Sequence, residues 1–77
     1  MTELTHLYLS NNHVSDISAL SGLTKLTDLS LGGNKIITIS SLNGLTELTD
    51  LELWSNQINS DDIEKLKQLL PDCNIQN

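Results

Sequence analysis

Leucine recurs along this chain on a fixed grid. Leu4, Leu26 and Leu48 stand 22 residues apart, as do Leu7, Leu29 and Leu51, and again Leu9, Leu31 and Leu53. The stretch "LTHLYLSNN" at 4–12 returns as "LTDLSLGGN" at 26–34 and as "LTDLELWSN" at 48–56. Self-similarity at one period is the mark of a repeat architecture. Within each copy the L-x-L alternation turns two apolar side chains to one face and the residue between them to the other, which predicts a strand. Leu70, Cys73 and Ile75 continue the three series at the same offset, so four strand cores are expected at 7–9, 29–31, 51–53 and 73–75. Written as full strands, they run near 6–10, 28–32, 50–54 and 73–75.

The segments between strands repeat as well. Val14, Ile36 and Ile58 each follow an Asn by two residues, and Ile17, Leu20 and Leu23 are echoed by Ile39, Leu42 and Leu45 at three-residue steps. Such spacing suits short 3₁₀ turns, in which side chains at i and i+3 eclipse. Gly22 and Gly44 are expected to supply a positive φ or a close backbone approach. Asn12, Asn34 and Asn56 stand where each strand must turn away. An amide both donates and accepts, so three in register predict a ladder that satisfies backbone groups of neighbouring coils. The third arc, "SDDIEKLKQLLP", breaks the pattern. Ile63, Leu66, Leu69 and Leu70 form one helical face, Ser60 or Asp61 can cap it, and Pro71 follows it. A helix over about 61–70 is expected there, delivering a closing strand in which Cys73 serves as a small buried hydrophobe.

Length and charge narrow the function. The 77 residues make one domain, and 38% hydrophobic content gives a thin core. The net charge is −6 with only four basic side chains. A nucleic-acid partner requires a basic footprint, which is lacking, and an anionic membrane surface is disfavoured for the same reason. No apolar run approaches the roughly 20 residues of a membrane span, so no membrane insertion is expected. The chain as given shows no export signal, and its single cysteine cannot close an internal disulfide.

Function must then come from the outward side chains, since the inward ones are committed to the core. The 22-residue period aligns them in columns: His6, Asp28, Asp50 and Asp72; Tyr8, Ser30, Glu52 and Asn74; Ser10, Gly32, Trp54 and Gln76. Tyr8, Asp28, Asp50, Glu52, Trp54 and Asp72 are the candidate partner-binding residues. Trp54 is the anchor among them, standing beside a glycine with no side chain to cover it. The acidic column also suggests a Ca²⁺ site or, with His6, a transition-metal site. No enclosing loop completes a coordination shell, so no metal and no cofactor are expected. Paired carboxylates suggest glycosidase chemistry, but an open sheet cannot bury a general acid to raise its pKa. Neither a nucleophile elbow nor an oxyanion hole is evident. The chain is not expected to be an enzyme.

The motif "LTxLxLxxNxIxxIxxLxGL", with "NHVSDISALSGLTKL" as its fullest instance, resembles the leucine-rich repeat family, and its 22-residue length is similar to the internalin-like bacterial subclass. The resemblance implies an α/β fold: a short right-handed solenoid with a small parallel β-sheet on its concave face, 3₁₀ arcs and one C-terminal α-helix. It implies a single domain over 1–77 with repeats at about 4–25, 26–47 and 48–69 and a closing segment at 60–77. It further implies a protein partner bound on the concave face, and a family whose members are often secreted or on the bacterial cell surface. The alternative is a structural or engineered solenoid segment that associates with itself. Met1 stands where Leu23 and Leu45 stand, so one flank of the first coil is expected to face water. Leu4, Leu7 and Leu9 would form the self-association edge of a homodimer through the first repeat.

Overall fold

A computed structural model describes residues 3–77; Met1, aligned by sequence with Leu23 and Leu45, lies outside them. The strands are β1 (His6–Tyr8), β2 (Asp28–Ser30), β3 (Asp50–Glu52) and β4 (Asn74–Gln76). They form one parallel sheet in the order β1-β2-β3-β4. Two 3₁₀ turns, Ser18–Gly22 and Ser40–Leu42, carry the first two crossovers, and helix α1 (Ser60–Leu69) carries the third. Each strand is short, but the ladder runs on past it. Leu9 N donates to Ser30 O at 2.8 Å and Asn11 N to Gly32 O at 2.9 Å, while Leu31 N and Gly33 N bond Glu52 O and Trp54 O in the same way. No helix is long and apolar enough to cross a membrane among the described residues.

The grid of leucines becomes the core. Leu7, Leu29 and Leu51 lie side by side in the sheet. The middle coil is sealed best, with Leu26, Leu31, Ile36, Leu42 and Leu45 fully buried. Leu4, Leu7, Leu9 and Val14 of the first coil pack against this core but stay half-buried. Two polar ladders join the coils. Asn34 Oδ1 accepts from the backbone N–H of Asn12 and of Val14, both at 2.9 Å, while its Nδ2 donates to Leu9 O and Leu31 O. Asn56 repeats this one coil later, toward Ile36 N, Leu31 O and Leu53 O. The Asn12 side chain, among the described residues, bonds only Ser10 O of its own turn. Threonines make the second ladder: Thr27 Oγ1 donates to Thr5 O and Thr49 Oγ1 to Thr27 O. At the entrance to the first 3₁₀ turn, Asp16 Oδ1 accepts from Ser18 N at 3.0 Å. That backbone bond, helped by the Ser18 side chain, lowers the Asp16 pKa below the usual carboxylate value.

Several expectations are corrected. Asp50 pairs with Asn74, Leu51 with Ile75 and Glu52 with Gln76, so the last step is 24 residues (74 − 50) and not 22. An α-helix rises about 1.5 Å per residue against about 2.0 Å for a 3₁₀ turn, so the helical crossover needs more residues to cover a similar span. Cys73 therefore sits ahead of β4 and is half-buried, and Ile75 takes the position beside Leu51. The helix is capped by Asn59, whose Oδ1 accepts from Asp61 N, and not by Ser60 or Asp61. Its buried stripe is Ile63, Leu66 and Leu70; Leu69 is 54% exposed, since neighbours on a helix point about 100° apart. Gly22 and Gly44 have neither a positive φ nor a close neighbour. Among the described residues positive φ falls instead at the position just before each repeated Asn, 61° at Asn11, 70° at Gly33 and 55° at Ser55, and also at His13, 58°. After Gly33 and Ser55 the strand bends away so that Asn34 and Asn56 reach both coils.

Candidate functional site

The pleat that buries the leucines turns His6 and Tyr8 of β1, Asp28 and Ser30 of β2, and Asp50 and Glu52 of β3 to the other side of the sheet. Parallel pairing sets His6 beside Asp28 beside Asp50, and Tyr8 beside Ser30 beside Glu52. The His6 ring is 3.6 Å from the Asp28 carboxylate and accepts or donates at 2.8 Å with Thr5 Oγ1 through its other nitrogen. The Thr27 hydroxyl proton is shared with this Asp28 carboxylate, which at 2.8 Å is its closer acceptor. Ser30 Oγ donates to Glu52 Oε1 at 2.9 Å, fixing that carboxylate from the neighbouring strand. The His6 and Tyr8 rings meet edge to face with centroids 6.3 Å apart, and Tyr8 is 63% exposed.

Trp54 follows Glu52 as the next outward residue of its strand. A Cβ built on Gly32 would fall inside the indole, nearest to Cε2, Cδ2 and Cζ2. The two ring-fusion carbons lie among these three, so the indole meets the Gly32 backbone with its face and not its edge. Gly32 is buried beneath it, while Trp54 keeps 37% of its surface exposed.

Of the six candidate residues, the sheet brings together Asp28, Asp50, Glu52 and Tyr8, with Trp54 just beyond. Asp72 does not join the column. It is exposed two residues before β4, and the neutral Asn74 occupies the place beside Asp50. Gly32 stands beside Trp54 as the repeat columns place it; Ser30 and Thr27 join the site in addition, Ser30 beside Glu52 at the 22-residue offset and Thr27 next to Asp28 in the chain. Burial raises the Cys73 thiol pKa, and the Asp50 charge adds to this. Among the described residues no three His, Cys, Asp or Glu side chains gather closely enough to hold a metal ion. Away from the sheet, a shallow groove of about 290 Å³ lies between the second 3₁₀ turn and α1.

The family described as leucine-rich repeats (2 copies) matches residues 2–44. No curated protein matches the chain. Among solved structures, a leucine-rich-repeat protein of Leptospira interrogans is 36% identical, with a TM-score of 0.87 over 99% of this chain and 20% of its own. Internalin C2 of Listeria monocytogenes is also 36% identical at a TM-score of 0.87, over 96% of this chain and 31% of its own. The chain thus spans less than a third of either protein. A chain of the Chaetomium Mex67:Mtr2 subunits shares the fold at 22% identity and a TM-score of 0.72, over 95% of this chain and 53% of its own. With a 22-residue leucine grid, a parallel sheet of stacked coils and a family match over more than half its length, this chain belongs to the leucine-rich repeat family.

Proposed function

We propose that this chain is a non-enzymatic protein-interaction module that binds a protein partner through the outward, concave face of its sheet. Tyr8, Asp28, Asp50, Glu52 and Trp54 form the contact surface, with Asp72 at its margin. The observation that carries this reading is the composition of that face: two exposed aromatics stand among three carboxylates on strands that hold no lysine. Aromatic anchors within a polar surround are the usual make-up of an interface. Leucine-rich repeat proteins generally bind other proteins, which supports the same reading. The carboxylates are solvated and shared with Thr, Ser and His neighbours, an arrangement unsuited to a general acid. To test it, the chain is immobilised and a partner captured from a lysate is then measured against Trp54→Ala and Asp50→Lys. Loss of capture by both, with Lys35→Ala unaffected, supports the face. Capture that survives both substitutions overturns it.

A second reading has its own observation. Among the described residues β1 pairs on one side only, with β2, and Leu4, Leu7 and Leu9 are half-buried where Leu26, Leu29 and Leu31 are sealed. Such an edge templates pairing with another chain, most simply an antiparallel two-fold dimer through the first repeat. Sedimentation of the 77-residue chain tests it, with Tyr8→Lys combined with Leu4→Glu expected to release monomers. A wild-type chain that is monomeric at millimolar concentration overturns it.

A further inference from the structure

The sheet face has more specific chemistry than an acidic surface with aromatics, and it concentrates at Trp54 and Glu52. The indole lies with one face on Gly32, so its opposite face is turned away from the sheet, and the residue keeps 37% of its surface exposed. An indole face carries the negative side of a quadrupole and attracts a cation placed over it. Glu52 is two residues back on the same strand, hence about 7 Å away on the same side of the sheet. Its Oε1 accepts from Ser30 Oγ, which holds the carboxylate in place and leaves Oε2 to an incoming donor. Asp28 and Asp50 stand next along the same surface. All four lysines lie outside the strands, and His6 already faces Asp28.

Resting on the proposal that this face is the binding surface, we propose that the Trp54–Glu52 pair is a seat for an arginine side chain of the protein partner. A guanidinium is flat and delocalised, so it stacks on the indole while its N–H edge reaches a carboxylate beside the ring. A lysine ammonium is a compact, strongly hydrated charge and satisfies only one of the two contacts at a time. An apolar side chain would cover the ring and leave Glu52 without a partner. The seat is built before binding. Gly32 has no Cβ, which lets the indole lie flat, and Gly33 N donates to Trp54 O at 2.8 Å, which fixes the backbone under it. Little side-chain freedom is then left to lose on association.

Trp54 is the chain's one tryptophan, so its fluorescence reports on this seat alone. The probes are four capped tripeptides, acetyl-Gly-X-Gly-amide, with X as arginine, lysine, citrulline or leucine. The arginine peptide is expected to change the fluorescence saturably, with the lysine peptide roughly threefold weaker and citrulline, which keeps the shape without the charge, weaker still. Glu52→Gln, which conserves size and the Ser30 contact, should weaken the arginine peptide by about threefold and narrow its preference over citrulline to what the indole face alone supplies. Equal response to citrulline or leucine overturns the arginine seat while leaving the sheet face as the binding surface. No response to any peptide at tens of millimolar also overturns it, and the capture experiment with Trp54→Ala then decides the face separately.

Discussion

The indole of Trp54 lies face-on against the backbone of Gly32, one strand away, and buries it. The two residues fit only as a pair. Gly32 has an ordinary negative φ or extended backbone that alanine tolerates, so the cost of a methyl there is steric and falls on the ring. Gly32→Ala is expected to destabilise by about 1–2 kcal/mol, as overpacking does, and to shift the tryptophan emission toward that of a solvated ring. In a Trp54→Ala background the same change should cost close to nothing. Urea titration of the four chains gives the coupling; an unchanged Gly32→Ala cost would place the strain elsewhere.

The asparagine ladder predicts a gradient at one repeated position. Asn34 is buried and joins two coils through the Asn12 and Val14 N–H groups and the Leu9 carbonyl, besides the Leu31 carbonyl of its own turn; Asn56 is half-buried, and the Asn12 side chain is exposed with one local bond. Replacing Asn34 by alanine strands two N–H groups and the Leu9 carbonyl, while Leu31 O keeps its bond from Asn56, and leaving buried groups unpaired costs about 1–3 kcal/mol each at most. Asn34→Ala should therefore cost about 3 kcal/mol or more, Asn56→Ala less, and Asn12→Ala under about 0.5 kcal/mol. Equal costs at the three sites would show that asparagine acts here through turn preference alone.

The difference between sequence and structure is sharpest at Asp72. The period placed β1, β2 and β3, the buried grid from Ile17 to Leu53, and the ladder at Asn34 and Asn56. Each of these depends on one coil repeating the next. The period failed where the crossover changed from a 3₁₀ turn to α1, because a helix consumes residues at a different rate along its axis. The offset slid by two, and Asn74 took the place assigned to Asp72. Trp54 was legible as an outward residue beside Gly32, but that the ring lies flat on the glycine depends on rotamers, which no spacing encodes. Ser30 and Thr27 were legible in principle, since their partners lie in the same repeat columns.

That slip is testable by charge. Asn74→Asp would set a second carboxylate directly opposite Asp50 and is expected to destabilise by about 0.5 kcal/mol at low salt, less at high salt. Asp72→Asn removes a charge that faces water and should change little. If Asp72→Asn stabilises and Asn74→Asp is silent, the register of β4 is the shorter one.

Cys73 makes the stability sensitive to alkaline pH. Burial first, and the Asp50 charge second, raise its folded pKa. Its folded value stands above its unfolded one, about 8.5. The stability it contributes is thus fully present below that value and is lost as pH rises through the folded one. Cys73→Ala should flatten the stability curve between pH 8 and pH 10, as followed by thermal melting under reducing conditions. An identical alkaline loss in the variant would assign it to other groups.

Leu7, Leu29 and Leu51 occupy one repeated position, in register across the sheet, and so form a natural series. Leu29 and Leu51 are 1% and 0% exposed, whereas Leu7 is half-buried. A domain of this size is stable by roughly 5–10 kcal/mol, and truncating a sealed leucine costs about 2–5 kcal/mol. Leu29→Ala and Leu51→Ala should each remove a large share of the total. Leu7→Ala should cost about half as much, because water already reaches the site and little cavity is left. Native-state hydrogen exchange is expected to follow the same order, with amides paired to β1 opening before those between β2 and β3. The series also reports on the free side of β1. If Leu7→Ala costs as much as Leu29→Ala, and more so at high protein concentration, that side is covered in solution by a second copy. If the cost stays at half at every concentration, the first coil stands open in the isolated chain, and association through it is ruled out.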